Sequence, residues 1–171
     1  MQQDKLIYWD SCAFIHLLQQ TERYFDALDD IKSRAQKKEC KIITSSISLA
    51  EVCKIPETGM LPIEQTKKIL AFFENEYVEL WQADRQICEE AHHLIRHHEL
   101  LPMDAIHIAT ALMAKPEVVI TTDTRKYRRK GLLYFDGKIG NPPLSIKEPS
   151  LGVMLPLWNV VEKANEKEQK Q

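Results

Sequence analysis

The sequence predicts an α/β fold: a mostly parallel central sheet covered by helices on both faces. Three observations predict it. Short apolar runs rich in β-branched and aromatic residues alternate with longer stretches whose apolar residues recur at helical spacing. One run, VVI at residues 118–120, is apolar without alternation, as expected of a strand buried on both faces. The 171 residues, 44% hydrophobic and 28% charged, suit one soluble domain with a core of its own.

Residues 5–9 (KLIYW) read as the first strand, and Asp10 and Ser11 lead from it into the helix-like stretch CAFIHLLQQ. Thr21 is placed to cap a second helix, with Phe25, Leu28 and Ile31 at helical spacing. Residues 41–44 (KIIT) form the next strand. Ser45 or Ser46 then caps a helix carrying Ile47, Leu49, Ala50, Glu51 and Val52. Pro56, Gly59 and Pro62 punctuate a loop, and Pro62 stands near the start of a helix with Ile69, Leu70, Phe72 and Phe73 on its apolar side. A short strand over residues 77–81 (YVELW) precedes Asp84, which caps a helix through Ile87, Ala91, Leu94 and Ile95. Pro102 precedes another helix, MDAIHIATALMA, with Asp104 in its first turn. Strands are expected at residues 117–121 (EVVIT) and, last and shortest, 132–135.

Beyond Asp136, Gly137, Gly140, Pro142, Pro143 and Pro149 interrupt regular structure. The chain therefore divides into a domain over residues 1–135 and an extension over 136–171. The extension is apolar again over 151–161, including Trp158, and residues 151–158 are expected to pack on the body or, alternatively, to bind a partner or second copy. Its charged end, EKANEKEQKQ, reads as frayed.

The net charge of −2 gives no general attraction to nucleic acid, so such binding needs a local basic patch. Cys12, Cys40, Cys53 and Cys88 form no CxxC pair, which excludes zinc-ribbon and thioredoxin-like signatures and suggests reduced, mostly buried thiols. The N-terminus lacks the basic-then-apolar pattern of a signal peptide, and no apolar run approaches the roughly 20 residues that cross a bilayer. A soluble, cytoplasmic protein with no membrane association is expected.

Four acids share a topological place. Asp10 follows the first strand, Glu51 lies about one turn into the helix after KIIT, Asp104 opens its helix, and Asp123 follows EVVIT. In an open parallel sheet, ligands gather at the carboxyl ends of the strands, which is where these chains arrive. Singly, Asp10 and Asp104 also read as caps and Asp123 as a turn residue. Glu51 sits among positions that look buried, where a carboxylate needs a partner or a metal. Gathered acids raise one another's pKa, and a hard divalent cation relieves the repulsion. The expected cofactor is Mg²⁺ or Mn²⁺, as one ion or two, activating water for attack on a phosphodiester.

The stretches IYWDSCAFIHLL, ITSSISLAEV, PMDAIHIATAL and VVITTDTRKY resemble, in order and spacing, the four signature segments of PIN domains, most closely the VapC-type ribonuclease toxins of toxin–antitoxin pairs. The resemblance covers about residues 5–135. It implies a three-layer, Rossmann-like α/β/α sandwich and metal-dependent endoribonuclease activity. It also implies a cognate antitoxin and a homodimer as partners besides the RNA substrate. Carried over by position, Asp10, Glu51, Asp104 and Asp123 match the acidic metal-site residues, and Thr121 matches a hydroxyl residue two positions before the last acid.

Around these acids, Ser11 and Thr121 are placed to hydrogen-bond a carboxylate or the attacking water. His107, one turn after Asp104, is placed to orient a carboxylate or touch substrate, and otherwise reads as a core histidine. His92, His93, His97 and His98 lack an HExxH pattern and read as a solvated helix face. Arg125, Lys126, Tyr127, Arg128, Arg129 and Lys130 put positive charge and one aromatic ring just after Asp123, where RNA phosphates and an unpaired base would lie. The competing reading is a PIN-fold module that binds RNA or protein without catalysis. A phosphotransferase is disfavoured: Cys12 stands where the haloacid-dehalogenase pattern needs a second Asp, and no GxxxxGK[ST] loop occurs.

Overall fold

The computed structural model describes residues 5–55, 59–124 and 130–152, with residues 54 and 55 as backbone only. The basic residues Arg125, Lys126, Tyr127, Arg128 and Arg129 lie outside the described residues, as do the apolar run beyond Gly152 and the charged end.

In chain order the elements are β1 (Leu6–Trp9), α1 (Ser11–Leu18), α2 (Phe25–Gln36), β2 (Lys41–Ser45), α3 (Ser48–Glu51), a small hairpin of β3 (Lys54–Ile55) and β4 (Gly59–Met60), and α4 (Ile63–Phe73). There follow β5 (Val78–Trp81), α5 (Arg85–His98), α6 (Pro102–Ala114), β6 (Val118–Ile120), a 3₁₀ helix (Leu132–Phe135) and β7 (Ile146–Lys147). Five strands form one sheet in the order β5-β2-β1-β6-β7, every neighbouring pair parallel. The α/β architecture is the one the sequence predicts.

Strand periodicity makes the layers. Successive residues of a strand face opposite sides of the sheet, so β1 sends Ile7 and Trp9 one way and Tyr8 the other. Ile7 and Trp9 join Phe14 of α1, Leu28 and Ile31 of α2, and Ile69 of α4 in one core. Tyr8 joins Ile87 and Leu94 of α5 and Ile108 of α6 in the other. Helix α6 is buried on most of its surface, and the small residues Ala105, Ala109 and Ala111 let it lie close to its neighbours.

Several local expectations are corrected. Residues 132–135 form a 3₁₀ helix rather than a strand, because the Asp123 carboxylate accepts the Leu132 N–H at 3.0 Å and turns the chain. Thr21 does not cap α2: its carbonyl closes a turn onto Tyr24 and Phe25, and its hydroxyl meets His16 Nδ1 at 3.0 Å. Neither Ser45 nor Ser46 caps α3. Ser46 Oγ accepts from Ala83 N at 3.1 Å, whereas Ser45 Oγ is buried without a partner. Of the four free thiols only Cys40 is fully buried, and Cys88 is exposed. Asp84 caps α5 as expected, accepting from Ile87 N at 3.0 Å.

Residues 136–152 include β7, the edge strand beside β6. Asp136 pins it by accepting the Ile146 N–H at 2.8 Å and pairing with Lys147 Nζ. Burial pushes the Asp136 carboxyl up, but the Lys147 hydrogen bond, the Ile146 N–H and the lysine charges outweigh it and hold the pKa below the ordinary value.

Candidate active site and metal centre

Helix α1 starts immediately after β1, and Asp10 is the junction. Its N–H donates to Ile120 O at 3.0 Å, extending the contact with β6. Its Oδ1 accepts from Ser11 N at 2.7 Å, so it is the N-cap of α1. Its Oδ2 accepts the Thr121 hydroxyl at 2.7 Å and the Cys12 thiol at 3.3 Å. Capping and site membership are therefore not alternatives for Asp10: the cap bond uses one oxygen and fixes where the carboxylate points.

Glu51 arrives from the adjacent strand β2 by way of α3. Its Oε2 accepts Ser11 Oγ at 2.5 Å and lies 2.7 Å from His107 Nε2. The imidazole comes from α6, on the opposite side of the sheet from α1, and is 1% exposed. Nε2 is also 3.3 Å from Asp10 Oδ1 and 3.2 Å from Ser11 Oγ. Its Nδ1 is 2.7 Å from the hydroxyl of Tyr8, which in turn accepts Ser45 N–H at 3.2 Å. Asp10, Glu51 and His107 thus offer donor atoms that all lie within 4.8 Å of one another.

A second hydrogen-bonded chain supports this group from below. Thr44 Oγ1 donates to Trp9 O and lies 2.7 Å from Ser48 Oγ, which is 3.3 Å from Ser11 Oγ. Thr44 and Ser48 are both fully buried, so these bonds satisfy hydroxyls that water cannot reach.

The charges explain the protonation. Burial alone pushes the His107 pKa down. The Asp10 charge, the hydrogen bond and charge of Glu51, and the Asp104 charge together outweigh it and raise the pKa above the ordinary imidazole value. Cys12 is pushed far up, first by burial and then by the Asp10 charge, and so stays a thiol. Tyr8 is raised for the same two reasons.

Asp104 and Asp123 are near this group but not among its three members. Asp104 is buried in the first turn of α6, one turn before His107, and its charge reaches that ring. The Asp123 carboxylate caps the 3₁₀ helix, while its N–H donates to Thr121 Oγ1 at 3.1 Å. Thr121 therefore ties Asp10 to the Asp123 backbone. Lys130, at the end of the basic stretch, is exposed with Nζ 4.5 Å from the centroid of the Tyr134 ring. The Nζ of Lys138 is 3.5 Å from the same centroid.

Sequence reasoning missed Tyr8, Thr44 and Ser48. A tyrosine in a strand buried on both faces is a usable signal, since its hydroxyl must find a partner. The run TSSIS offers too many hydroxyls for spacing to single out Ser48.

Two carboxylates and one imidazole form a donor set of hard oxygen and borderline nitrogen, which fits a divalent cation. A separate cavity of about 260 Å³ opens between α1, α2 and α4, lined by Phe14, Leu17, Phe25, Ile69, Phe72 and Tyr77 among others, and the clustered acids do not line it.

The topology and site together define a PIN domain: the family profile matches residues 7–132, and the chain belongs to that family. Among solved structures it is similar to VapBC2 from Rickettsia felis bound to a promoter DNA fragment, at 14% identity and TM-score 0.55, over 85% of this chain and 99% of that one. It is also similar to VapC20 of Mycobacterium tuberculosis, a sarcin-ricin loop cleaving toxin, at 18% identity and TM-score 0.52, over 66% of this chain and 86% of that one. No curated protein sequence matches significantly.

Proposed function

We propose that this PIN domain is an endoribonuclease that hydrolyses RNA phosphodiester bonds with a divalent cation, Mg²⁺ or Mn²⁺. The observation that carries the reading is the convergence of Asp10 and Glu51, from the ends of adjacent strands, into one group with the buried His107. Asp10 and Glu51 would hold the ion, with Asp104 and Asp123 completing the acidic surroundings through water. The ion supplies an acidified water nucleophile and charge stabilisation at the phosphate. The chain's own residues fix the geometry. Thr121, Cys12 and the Ser11 N–H hold Asp10, and Ser11 Oγ holds Glu51. Arg125, Lys126, Tyr127, Arg128, Arg129 and Lys130 are assigned to the RNA backbone and an unpaired base.

The fold shared with VapC toxins and a VapBC complex supports a toxin role, restrained by an antitoxin that covers the acidic pocket, in a cytoplasmic homodimer. Among the described residues no helix is long and apolar enough to cross a membrane.

The test is cleavage of a mixed RNA pool. Cleavage should require Mg²⁺ or Mn²⁺ and stop with chelator, and Asp104→Asn should keep the fold and lose activity. Cleavage that survives both treatments refutes the mechanism. Mn²⁺ binding without turnover on any RNA would establish a binding module instead.

A further inference from the structure

We infer that His107 is itself a metal ligand, and that its nitrogen makes the site select Mn²⁺ over Mg²⁺. The inference rests on the metal-dependent reading above and adds to it which donor sets the choice of ion. Oxygen-only carboxylate sites serve Mg²⁺ well, because that ion prefers hard donors and keeps its waters. An imidazole favours the later divalent ions, along the order that runs from Mn²⁺ upward.

Three observations carry this. The first is aim. His107 Nε2 points at the two carboxylates, 3.3 Å from Asp10 Oδ1 and 2.7 Å from Glu51 Oε2, in a ring that solvent does not reach. The second is spacing. Donors bound about 2.1 Å from an ion and at right angles to each other lie about 3 Å apart. The distances from Nε2 to its two carboxylate neighbours straddle that value, so Nε2 is spaced from each oxygen as neighbouring donors to one ion would be. The third is the far side of the ring. Ligating histidines are commonly oriented by a hydrogen bond at the other nitrogen. Here Tyr8 Oη is 2.7 Å from Nδ1, is fully buried, and is held by the Ser45 N–H. With its hydrogen on Nδ1 toward Tyr8, the neutral ring presents the Nε2 lone pair to the ion. A bound cation would replace any hydrogen between Nε2 and Glu51 Oε2, and that proton would leave to solvent.

The alternative role is positioning: His107 would hold Glu51 by a hydrogen bond and never touch the ion. His107→Gln separates the two. The glutamine amide can still donate to Glu51, but it offers no imidazole nitrogen.

The experiment is pulsed electron paramagnetic resonance on full-length protein loaded with one equivalent of Mn²⁺. Ligation by His107 gives nitrogen modulation of the Mn²⁺ echo. That modulation changes to the ¹⁵N pattern in protein grown with ring-¹⁵N histidine and vanishes in His107→Gln. In calorimetric titration, the ratio of Mn²⁺ to Mg²⁺ affinity should fall by roughly tenfold or more in His107→Gln, the scale of losses seen when a metal site's ligand environment is altered. Bound Mn²⁺ without directly coupled nitrogen overturns the inference and leaves the nuclease reading standing. Failure to bind Mn²⁺ at all overturns both. If the variant does not fold, a labelled wild-type spectrum without histidine coupling still overturns the inference, and one with it supports His107, which of the six histidines stands with Asp10 and Glu51 among the described residues.

Discussion

Tyr8→Phe tests the buried polar network at its least ambiguous point. The change removes one oxygen and leaves the ring, so no cavity of consequence opens in the core. Tyr8 is 0% exposed, and two partners lose that oxygen: His107 Nδ1 at 2.7 Å and Ser45 N at 3.2 Å. A buried polar group left without a partner costs about 1–3 kcal/mol. Two such groups, less the gain from no longer burying a hydroxyl, give a loss of about 2–4 kcal/mol. For a chain of this size each kcal/mol lowers the melting temperature by roughly 2–4 °C, so a fall of about 4–16 °C is expected. The assay is thermal unfolding followed by circular dichroism, in chelator so that no cation compensates. A shift below about 1 °C would mean that the hydroxyl carries no structural interaction, and the derivation of the His107 orientation would fail with it.

Two further outcomes follow from the same structure. Because the folded-state pKa of His107 is raised, its stabilising contribution is complete below the unfolded value of about 6.5 and is lost as pH rises through the folded value. In chelator, the difference in urea midpoint between wild type and His107→Gln should therefore shrink from pH 5.5 to 8.5, and a pH-independent difference contradicts the electrostatic account. Gly140 has φ +97°, and a Cβ there would lie 2.7 Å from Leu112 Cδ2 and 3.0 Å from Pro142 O. Gly140→Ala should cost about 1–3 kcal/mol in urea unfolding, more than Gly137→Ala, whose φ is +67° but whose surroundings are open. Equal midpoints for the two variants would show that the contact with α6 relaxes freely.

What the sequence revealed follows the range of the interactions involved. Strands β1, β2 and β6 were legible because their burial is written into consecutive residues. The strand β7 was not: two residues among prolines and glycines carry no period, and only pairing with β6 makes them a strand. Residues 132–135 looked like a strand by composition, but the Asp123 side chain decides their backbone from nine residues away. At the site, Asp10 and Glu51 were legible by topological position. The place of His107 one turn after Asp104 fits a carboxylate-orienting or substrate-touching residue and equally a core histidine, and spacing along α6 cannot show that Nε2 reaches both Asp10 and Glu51 across the sheet. Tyr8, Thr44 and Ser48 matter through partners distant in the chain, and no local pattern announces them.

The strand order also sets a timetable for synthesis. The strand β1 lies at the centre of the sheet, and its second neighbour enters the register where Ile7 pairs with Val118, 111 residues later. At ribosomal speeds of about 5–20 residues per second, that interval lasts roughly 6–22 s. Until β6 emerges, Leu6–Trp9 has one edge unpaired and apolar side chains uncovered, a nascent segment suited to capture by chaperones. Over the same interval Asp10 lacks Thr121, and His107 has only just been added. The cluster therefore closes late, and a growing chain carries scattered acids rather than the assembled group of Asp10, Glu51 and His107.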